Sequence, residues 1–239
     1  MIENHVFEFP CHLMFWRARE EGLTRHRNPL FSKRTFITIE NLCVDEMHTV
    51  HLGVFQSYVA TALWALIKED VWGLRAGLSE EAAHQRSALR LGRELFEWYT
   101  METQRRPDKP LYELTDFAME TLGSKDSPKL GAKAAETGTL LEFAADLCKM
   151  CYVNLQAGAA LTKAGEALVT YMQVTRSAAA QLRPAERQRL ADAFIRFLKL
   201  REAAGIPYKP KMHLMLHLAL QSNRFGNPKD VGTWFDDGA

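Results

Sequence analysis

The sequence predicts a mainly α-helical protein: a bundle-like domain of several helices with a small β-containing remnant at its N-terminus. From residue 44 onward, apolar residues recur at three- and four-residue spacing over long stretches, which is typical of amphipathic helices. The first 40 residues are instead rich in aromatic and turn residues. Their one good strand candidate is Thr35–Ile39, which is β-branched or aromatic throughout.

The predicted helices have recognisable starts and ends. Ser79 can cap a helix, and the two acids that follow it suit the positive end of the helix dipole. Pro184 suits a first helical turn, and segment 123–131, which begins and ends with glycine, is the most linker-like part of the chain. The helices are predicted at residues 44–70, 80–102, 115–122, 132–156, 161–182, 184–204 and 211–224.

Composition indicates an ordinary soluble globular protein of one large domain or two small ones. Of 239 residues, 47% are hydrophobic and 25% are charged, and the formal net charge is +1. A polyanion-binding chain is usually more basic, so nucleic-acid contacts would have to come from local patches. No apolar run reaches the roughly 18–20 residues that cross a bilayer. The N-terminus lacks the order of a secretory signal, and we expect an intracellular protein without a membrane partner.

The four cysteines do not form a disulfide framework, which also favours a reducing, intracellular setting. Cys148 and Cys151 have the spacing of half a zinc site or a redox centre. They fall within an apolar helical pattern, with no second pair of this kind in the chain. The pattern favours two buried small hydrophobic side chains over a metal or redox centre.

Acids and histidines at helical spacing are the most informative feature of the chain. Asp45 and His48 lie one helical turn apart, where they can share a metal ion or a proton. His213 and His217 also share a helix face, but the residues between them include no Glu that could act as a general base. Histidines near helix starts more often bind backbone groups or a neighbouring carboxylate, and that interpretation is favoured here.

Two further segments carry charge at the start of a helical pattern. Lys133-Ala-Ala-Glu136 is followed by an apolar run and is typical of a solvated helix start. Lys209-Pro-Lys211 places two ammonium groups beside a helix N-terminus, which makes a reasonable phosphate contact. The other basic groups, around Arg105, Arg106 and residues 183–189, are interpreted as solvated faces.

Taken in chain order, these segments resemble the C-terminal half of CACTA-type cut-and-paste DNA transposases and their relatives. Such proteins have a D-x-M-H block followed by L-G-V, a K-A-x-E block that opens a helical region, an H-x-x-x-H segment, an F-G pair and an aromatic-plus-acid motif. The resemblance covers about residues 35–239. Its blocks here are Asp45–His48 with Leu52–Val54, Lys133–Glu136, Met212–His217, Phe225-Gly226 and Trp234–Asp237.

The resemblance implies an RNase H-like core split by a helical insertion. In such a core, three carboxylates hold two divalent metal ions, Mg²⁺ or Mn²⁺, in line with the scissile phosphate. It makes Asp45 and Asp237 the expected catalytic and metal-binding acids, and Thr35–Ile39 a late core strand. The residues expected to support catalysis or to contact DNA are His48, Glu136, His213, His217, Lys209 and Lys211.

The resemblance divides the chain into three parts. Residues 1–50 are a partial core remnant, residues 51–205 a helical insertion-like domain, and residues 206–239 a C-terminal helix with an acidic motif that returns to the core. Two of the three acids are expected to be present, and the abrupt end after Asp237 suggests a truncated or degenerate copy. We therefore expect a transposase-derived protein, ancestrally active in DNA cleavage and strand transfer and catalytically inactive as this fragment.

Two other interpretations stay open. The first is a non-catalytic helical module that binds protein or DNA, and the near-neutral charge favours protein contacts. The second is a metalloenzyme that uses the Asp45, His48, His213 and His217 side chains. The expected partners are DNA through local basic patches, a second copy of the chain or another protein. A transposase-derived protein of a eukaryote would be nuclear.

Overall fold

The predicted helical class is confirmed in the computed structural model, which describes residues 42–152 and 156–233. Within these ranges the regular structure is almost entirely helical, with one isolated bridge between Gly123 and Pro128 and no strand. The strand predicted at Thr35–Ile39 lies outside the described residues. From Val44 onward the described residues belong to one compact unit. The division of the chain at residues 50 and 205 stays a prediction.

The described helices follow the predicted order, except that the helix predicted at residues 115–122 is only a short 3₁₀ helix. A π-helical segment, Met47–Phe55, runs directly into α1, Gln56–Lys68. The remaining α-helices are α2, Glu80–Arg105; α3, Ala134–Cys151; α4, Gln156–Ser177; α5, Pro184–Leu200; and α6, Pro210–Phe225. Short 3₁₀ helices form at Met119–Leu122 and Pro228–Val231.

Local chemistry explains where these helices begin. The Ser79 hydroxyl accepts a hydrogen bond from the Ala82 N–H at 3.3 Å, as a helix cap does. Pro184 and Pro210 open α5 and α6, where a missing N–H costs nothing. At the other end of α2, the helix stops at Arg105, two residues before Pro107. The start and stop signals in the sequence therefore predicted these boundaries to within a few residues.

The π-helical segment and α1 form the centre of the core. Their apolar side chains, among them Val54, Phe55, Tyr58 and Leu63, are fully buried. α1 packs against α3, and the π-helical segment lies against both α3 and α6. α4 packs most extensively against α5 and also contacts α3. π-Helical turns are rare in proteins as a whole, and those that occur are often found at functional sites. The π-helical segment is therefore the first candidate location for a functional site.

The central helical stretch also bears on membrane contact. Among the described residues, Met47–Lys68 is long and apolar enough to cross a bilayer by length and composition, with a mean hydropathy of 1.4. However, 78% of this window is buried inside the protein, as in the core helix of a globular domain. No membrane partner is therefore indicated for this helix.

The cysteine pair is part of the same core. Cys148 is fully buried in α3, and Cys151 is partly buried at the end of that helix. Both are free thiols, and burial raises the pKa of Cys148 to about 12. The thiol is therefore neutral and unreactive at physiological pH. The expected small hydrophobic role of Cys148 is confirmed.

Candidate functional site

Asp45 closes the N-terminal end of the π-helical segment. Its Oδ1 accepts hydrogen bonds from the Met47 N–H at 3.0 Å and the Thr233 N–H at 3.3 Å. Its Oδ2 accepts from the Thr233 hydroxyl at 2.8 Å and lies 2.5 Å from His48 Nδ1. Partial burial raises the pKa of Asp45, but the hydrogen bonds from His48 and Thr233 outweigh it and leave the pKa lowered. Asp45 is therefore an ionised carboxylate that joins two ends of the described chain.

The segment that carries Thr233 is anchored by Asn227. The buried Asn227 amide donates to the Thr175 carbonyl at 2.8 Å and to the Ala178 carbonyl at 3.2 Å, at the end of α4. Gly226 before it has φ = 83°, and a Cβ there would lie 2.4 Å from the Ala180 carbonyl oxygen. Only glycine fits this position without strain. The Phe-Gly pair of the sequence thus fixes where the chain approaches Asp45.

α6 lies against the π-helical segment through Lys211. The Lys211 ammonium donates to the Leu52 carbonyl at 3.1 Å. A Cβ on Gly53 would lie 2.5 Å from Lys211 Cδ, so the glycine makes room for the lysine chain. Burial lowers the pKa of Lys211, and the nearby Lys209 lowers it further. Lys211 is therefore engaged with the protein backbone, and the DNA contact of Lys209 and Lys211 stays a prediction.

The histidine pair of α6 shares a helix face, as its spacing predicts. His213 Nε2 and His217 Nε2 lie 3.0 Å apart, and the two rings meet edge to face. At this distance one nitrogen donates a proton and the other accepts it. Both side chains are half-buried.

Glu136 has a local role at the start of α3. Its carboxylate accepts a hydrogen bond from the Lys133 N–H at 2.8 Å, which satisfies one backbone donor at the helix start. The interpretation of the K-A-x-E block as a helix start is confirmed. The residues that follow, Leu140, Leu141 and Phe143, are buried as predicted.

The described residues around Asp45 do not by themselves form a two-metal centre. In the described ranges, no three His, Cys, Asp or Glu side chains converge as metal ligands. Mg²⁺ prefers several oxygen ligands, and Asp45 supplies one carboxylate that already accepts four polar contacts. Asp237, the second expected acid, lies outside the described residues.

A second acid and a second histidine lie close to Asp45 in the sequence but inside the protein. Glu46 and His51 are both buried, and His51 Nε2 is 3.6 Å from Glu46 Oε1. His51 Nδ1 lies 2.9 Å from the Ala134 carbonyl, to which it must donate its proton. Burial and the adjacent Asp45 raise the pKa of Glu46 to about 8, and burial lowers the pKa of His51 to about 3. Both side chains are therefore neutral at pH 7.

Arg176 lies close to this buried pair, and its side chain is partly exposed to solvent. A Cβ on Gly138 would lie 2.7 Å from Arg176 Nη2 and 3.1 Å from His51 Cε1, so the glycine lets both side chains approach α3. Arg176 offsets part of the rise in the pKa of Glu46, and burial together with the nearby Glu46 raises the pKa of Tyr171. Neither Glu46 Oε2 nor Tyr171 Oη has a hydrogen-bond partner within the described part of the chain. Glu46, His51, Tyr171 and Arg176, together with Glu142, which binds Arg176, form a group that we call the buried seam.

At its far end, Arg176 belongs to a group that we call the cationic cluster. Arg176 Nη1 donates to Glu142 Oε1 at 3.1 Å, and Arg106 Nη2 donates to Glu142 Oε2 at 3.1 Å. Lys109 also binds Glu142. Glu102 in turn binds Arg106 and accepts two hydrogen bonds from Arg105, at 2.5 and 2.8 Å. The members of the cationic cluster are Arg105, Arg106, Lys109 and Arg176, with Glu102 and Glu142.

The sequence pattern did not lead to the residues of the buried seam, although the sequence contains a signal for one of them. Glu142 falls within the apolar run Leu140-Leu141-Glu-Phe-Ala-Ala, and a charged residue on a core-facing stretch is rarely buried without partners. Glu46 and Arg176 likewise occur among residues that the structure buries. Their partners come from other helices, so periodicity alone could not name them. The interpretation of Arg105 and Arg106 as a solvated face is incomplete, since both bind buried carboxylates.

Comparisons with known proteins identify no relative. No model of a known protein family matches the chain, no curated protein matches it, and no solved structure matches it. The class that the structure supports is a mainly α-helical domain with a carboxylate–histidine site at the end of a π-helical segment.

Because the pKa of the buried Glu46 is raised, the stability of the folded protein should fall as the pH rises from 6.5 to 8. Between about pH 6.5 and 8 the folded protein keeps a proton on Glu46 that the unfolded chain has already released. Unfolding is therefore favoured as pH rises, by about 1.4 kcal/mol per pH unit, or about 2 kcal/mol over this range. Glu46→Gln should remove this loss. The measurement is urea denaturation of both proteins at pH 6.5, 7.25 and 8.

The matched control is Glu186→Gln, because Glu186 lies at the protein surface, partly exposed, and its pKa is lowered by Arg183. This variant should keep the alkaline loss of stability. His51 acts in the opposite direction: the unfolded chain binds a proton there below pH 6.5 that the folded protein does not, so its contribution is lost as pH falls. A wild-type stability that stays flat from pH 6.5 to 8 would show that Glu46 is ionised in the folded protein.

Proposed function

We propose that this protein derives from a CACTA-type DNA transposase, whose ancestral reaction is Mg²⁺- or Mn²⁺-dependent DNA cleavage and strand transfer. On this proposal, Asp45 and Asp237 descend from catalytic acids, and His48, His213 and His217 support the site. On this proposal, the 239-residue chain by itself does not catalyse DNA cleavage or strand transfer. Its remaining role is to bind DNA, in the nucleus if the host is a eukaryote.

One observation carries the proposal: the contact of Thr233 with Asp45 and His48. Thr233 is 188 positions from Asp45, yet both its backbone and its hydroxyl bind the Asp45 carboxylate. Thr233 directly precedes the Trp-Phe-Asp-Asp motif in which the second acid is expected. A split catalytic core requires this kind of approach, because its acids come from segments far apart in sequence.

Two observations support the loss of catalysis in this chain. Both oxygens of Asp45 lie at hydrogen-bond distance from protein groups, so a metal ion would have to displace some of these contacts. The adjacent acid, Glu46, is buried with a pKa raised to about 8, so a metal ion would also have to displace its proton in order to bind it.

A second candidate function is a helical interaction module unrelated to transposition. The observation that favours it is the cationic cluster, which stands apart from Asp45 in its contacts and could bind a partner without any catalytic site. The two candidates differ in their genomic context. Sequencing the transcript and its locus beyond both ends separates them.

For the transposase origin we expect a longer reading frame with an upstream strand-borne Asp, a helix after Asp237 and flanking inverted repeats. A stop codon directly after Ala239 in an expressed transcript, with no repeats nearby, would favour the interaction module instead.

A nicking assay tests the expected inactivity. Purified protein incubated with supercoiled plasmid and Mg²⁺ or Mn²⁺ should leave the plasmid intact, because the described site offers one ionised carboxylate. Asp45→Ala should behave in the same way, and a known nuclease serves as the positive control. Robust metal-dependent nicking that disappears in Asp45→Ala would show instead that the site is catalytic.

A further inference from the structure

The cationic cluster is layered, with its carboxylates inside and its cations outside. The Glu102 and Glu142 side chains are only 3% and 7% exposed. The exposed fractions of the cations are much larger: 64% for Arg105, 38% for Arg106, 22% for Lys109 and 39% for Arg176. A molecule that approaches from solvent therefore meets positive charge, although acids and bases lie close together.

The positive charge also exceeds the negative charge. Within these ion pairs four cations share two carboxylates, an excess of two positive charges, while two further acids of the same stretch, Asp108 and Glu113, are exposed. The near-neutral charge of the whole chain hides this local excess. Local excess of this kind attracts anions far more strongly than the net charge indicates.

The buried carboxylates also hold the cations in place. Arg105 uses Nε and Nη2 on one oxygen of Glu102, and Arg106 binds both Glu102 and Glu142. The end of α2, the loop after it, α3 and α4 all contribute, so the side chains are fixed from several sides. A guanidinium group has five N–H donors, which leaves donors for a phosphate after the contacts to glutamate are made. Ordering these side chains beforehand lowers the entropy cost of binding.

An exposed aromatic side chain lies beside these cations. Tyr112 is 44% exposed, and its backbone N–H donates to the Thr139 hydroxyl at 3.2 Å, which ties it to α3. Arg176 and Tyr112 are close enough to interact electrostatically. Cations that follow a phosphate backbone, with an aromatic ring on which a base can stack, are the usual parts of a single-strand binding surface.

We propose that the cationic cluster and Tyr112 form a surface that binds single-stranded DNA, with the cations on the phosphates and Tyr112 against a base. The choice of DNA as the ligand rests on the proposed function. The layered charge, the excess of two cations and the ordered side chains are independent of it. The surface shares no residue with the Asp45 site.

Fluorescence anisotropy with a labelled single strand of about 20 nucleotides tests this surface. The double variant Arg105→Gln/Lys109→Gln should bind at least about tenfold more weakly than wild type at low salt. Its slope of log affinity against log salt should fall by about 1.4, because each phosphate contact on a single strand contributes about 0.7. Tyr112→Ala should weaken binding at least about fivefold with an unchanged salt slope, because stacking is not ionic.

The matched control is Arg90→Gln/Arg93→Gln, which removes the same charge from exposed positions on the same helix. It should change affinity less than threefold, a factor that corresponds to weak long-range attraction. Circular dichroism checks that each variant is folded. Arg105→Gln alone is a second test, since Arg105 is the most exposed member of the cluster.

The outcomes separate the two proposals. If wild type binds single-stranded DNA and both double variants lose affinity equally, this surface is wrong while DNA binding stands. If binding is lost in the cluster variant but Tyr112→Ala matches wild type, or if duplex DNA is preferred, the single-strand assignment is wrong. If wild type binds no DNA even at low salt, the proposed DNA-binding role and the single-strand surface are both wrong.

Discussion

Replacing Gly165 by alanine should destabilise the protein by about 3 kcal/mol, which for a chain of this size is a loss of roughly 10 °C in Tm. Gly165 lies in α4, and a Cβ at this position would be 2.0 Å from Tyr58 Oη and 2.6 Å from Tyr58 Cζ. Tyr58 is fully buried, and its hydroxyl donates to the Leu161 carbonyl at 3.3 Å. Because the ring is fully buried, it cannot move aside into solvent.

The control for Gly165 is another glycine inside a helix. A Cβ on Gly92 in α2 would have Phe117 atoms as its nearest neighbours, at 3.7 Å, which is ordinary van der Waals contact. Gly92→Ala should therefore stabilise the protein by up to about 1 kcal/mol, because alanine has the better helix propensity. Urea and thermal denaturation of both variants provide the comparison.

A double-mutant cycle identifies the cause. Tyr58→Phe removes the hydroxyl that the new methyl group would meet first. In the Gly165→Ala background it should cost less than in wild type, with a coupling of about 1 kcal/mol or more. If Gly165→Ala and Gly92→Ala have the same effect, α4 and α1 are not packed as closely as described here.

Glu142→Gln should cost about 2 to 3 kcal/mol of stability. The change keeps the size of the side chain and removes the one carboxylate that Arg106, Lys109 and Arg176 share. Loss of one partner of a buried ion pair leaves uncompensated charge, which typically costs about 3 to 5 kcal/mol. The three cations here are partly exposed, and solvent screening reduces the figure.

The salt dependence of this variant provides a second measurement. Added salt screens the mutual repulsion of the three cations, so it should recover part of the stability of Glu142→Gln. The control is Glu94→Gln, since Glu94 pairs with Arg90 at the helix surface. It should cost less than about 0.5 kcal/mol. Equal costs for the two variants would mean that Glu142 contributes no more than an ordinary surface ion pair.

Several contacts of the site could be predicted from the sequence. The spacing of Asp45 and His48 predicted a shared contact, and the structure places Nδ1 and Oδ2 2.5 Å apart. The pairing of His213 with His217 followed from helical geometry in the same way. These relations are local, within one turn of a helix, so the chain encodes them directly.

Other parts depend on residues that are far apart in the chain. Helical periodicity does not join Thr233 to Asp45, which only the family resemblance placed near each other, and nothing in the sequence joins Arg176 to Glu142 and His51. The roles of Gly53 and Gly138 also became clear only when the neighbouring helix was in place. Such contacts depend on which helix faces meet, and helical periodicity does not specify the partner of a face.

By itself, the sequence determined the helical class, most helix boundaries and the chemistry within single turns, because propensity, caps and periodicity act over a few residues. The tertiary structure decided which charges are buried together and how their pKa values move. Glu46 is an ordinary acid in the sequence and carries a pKa of about 8 in the fold. Burial among helices removes the water that would stabilise its charge, and this removal depends on the whole packing of the protein.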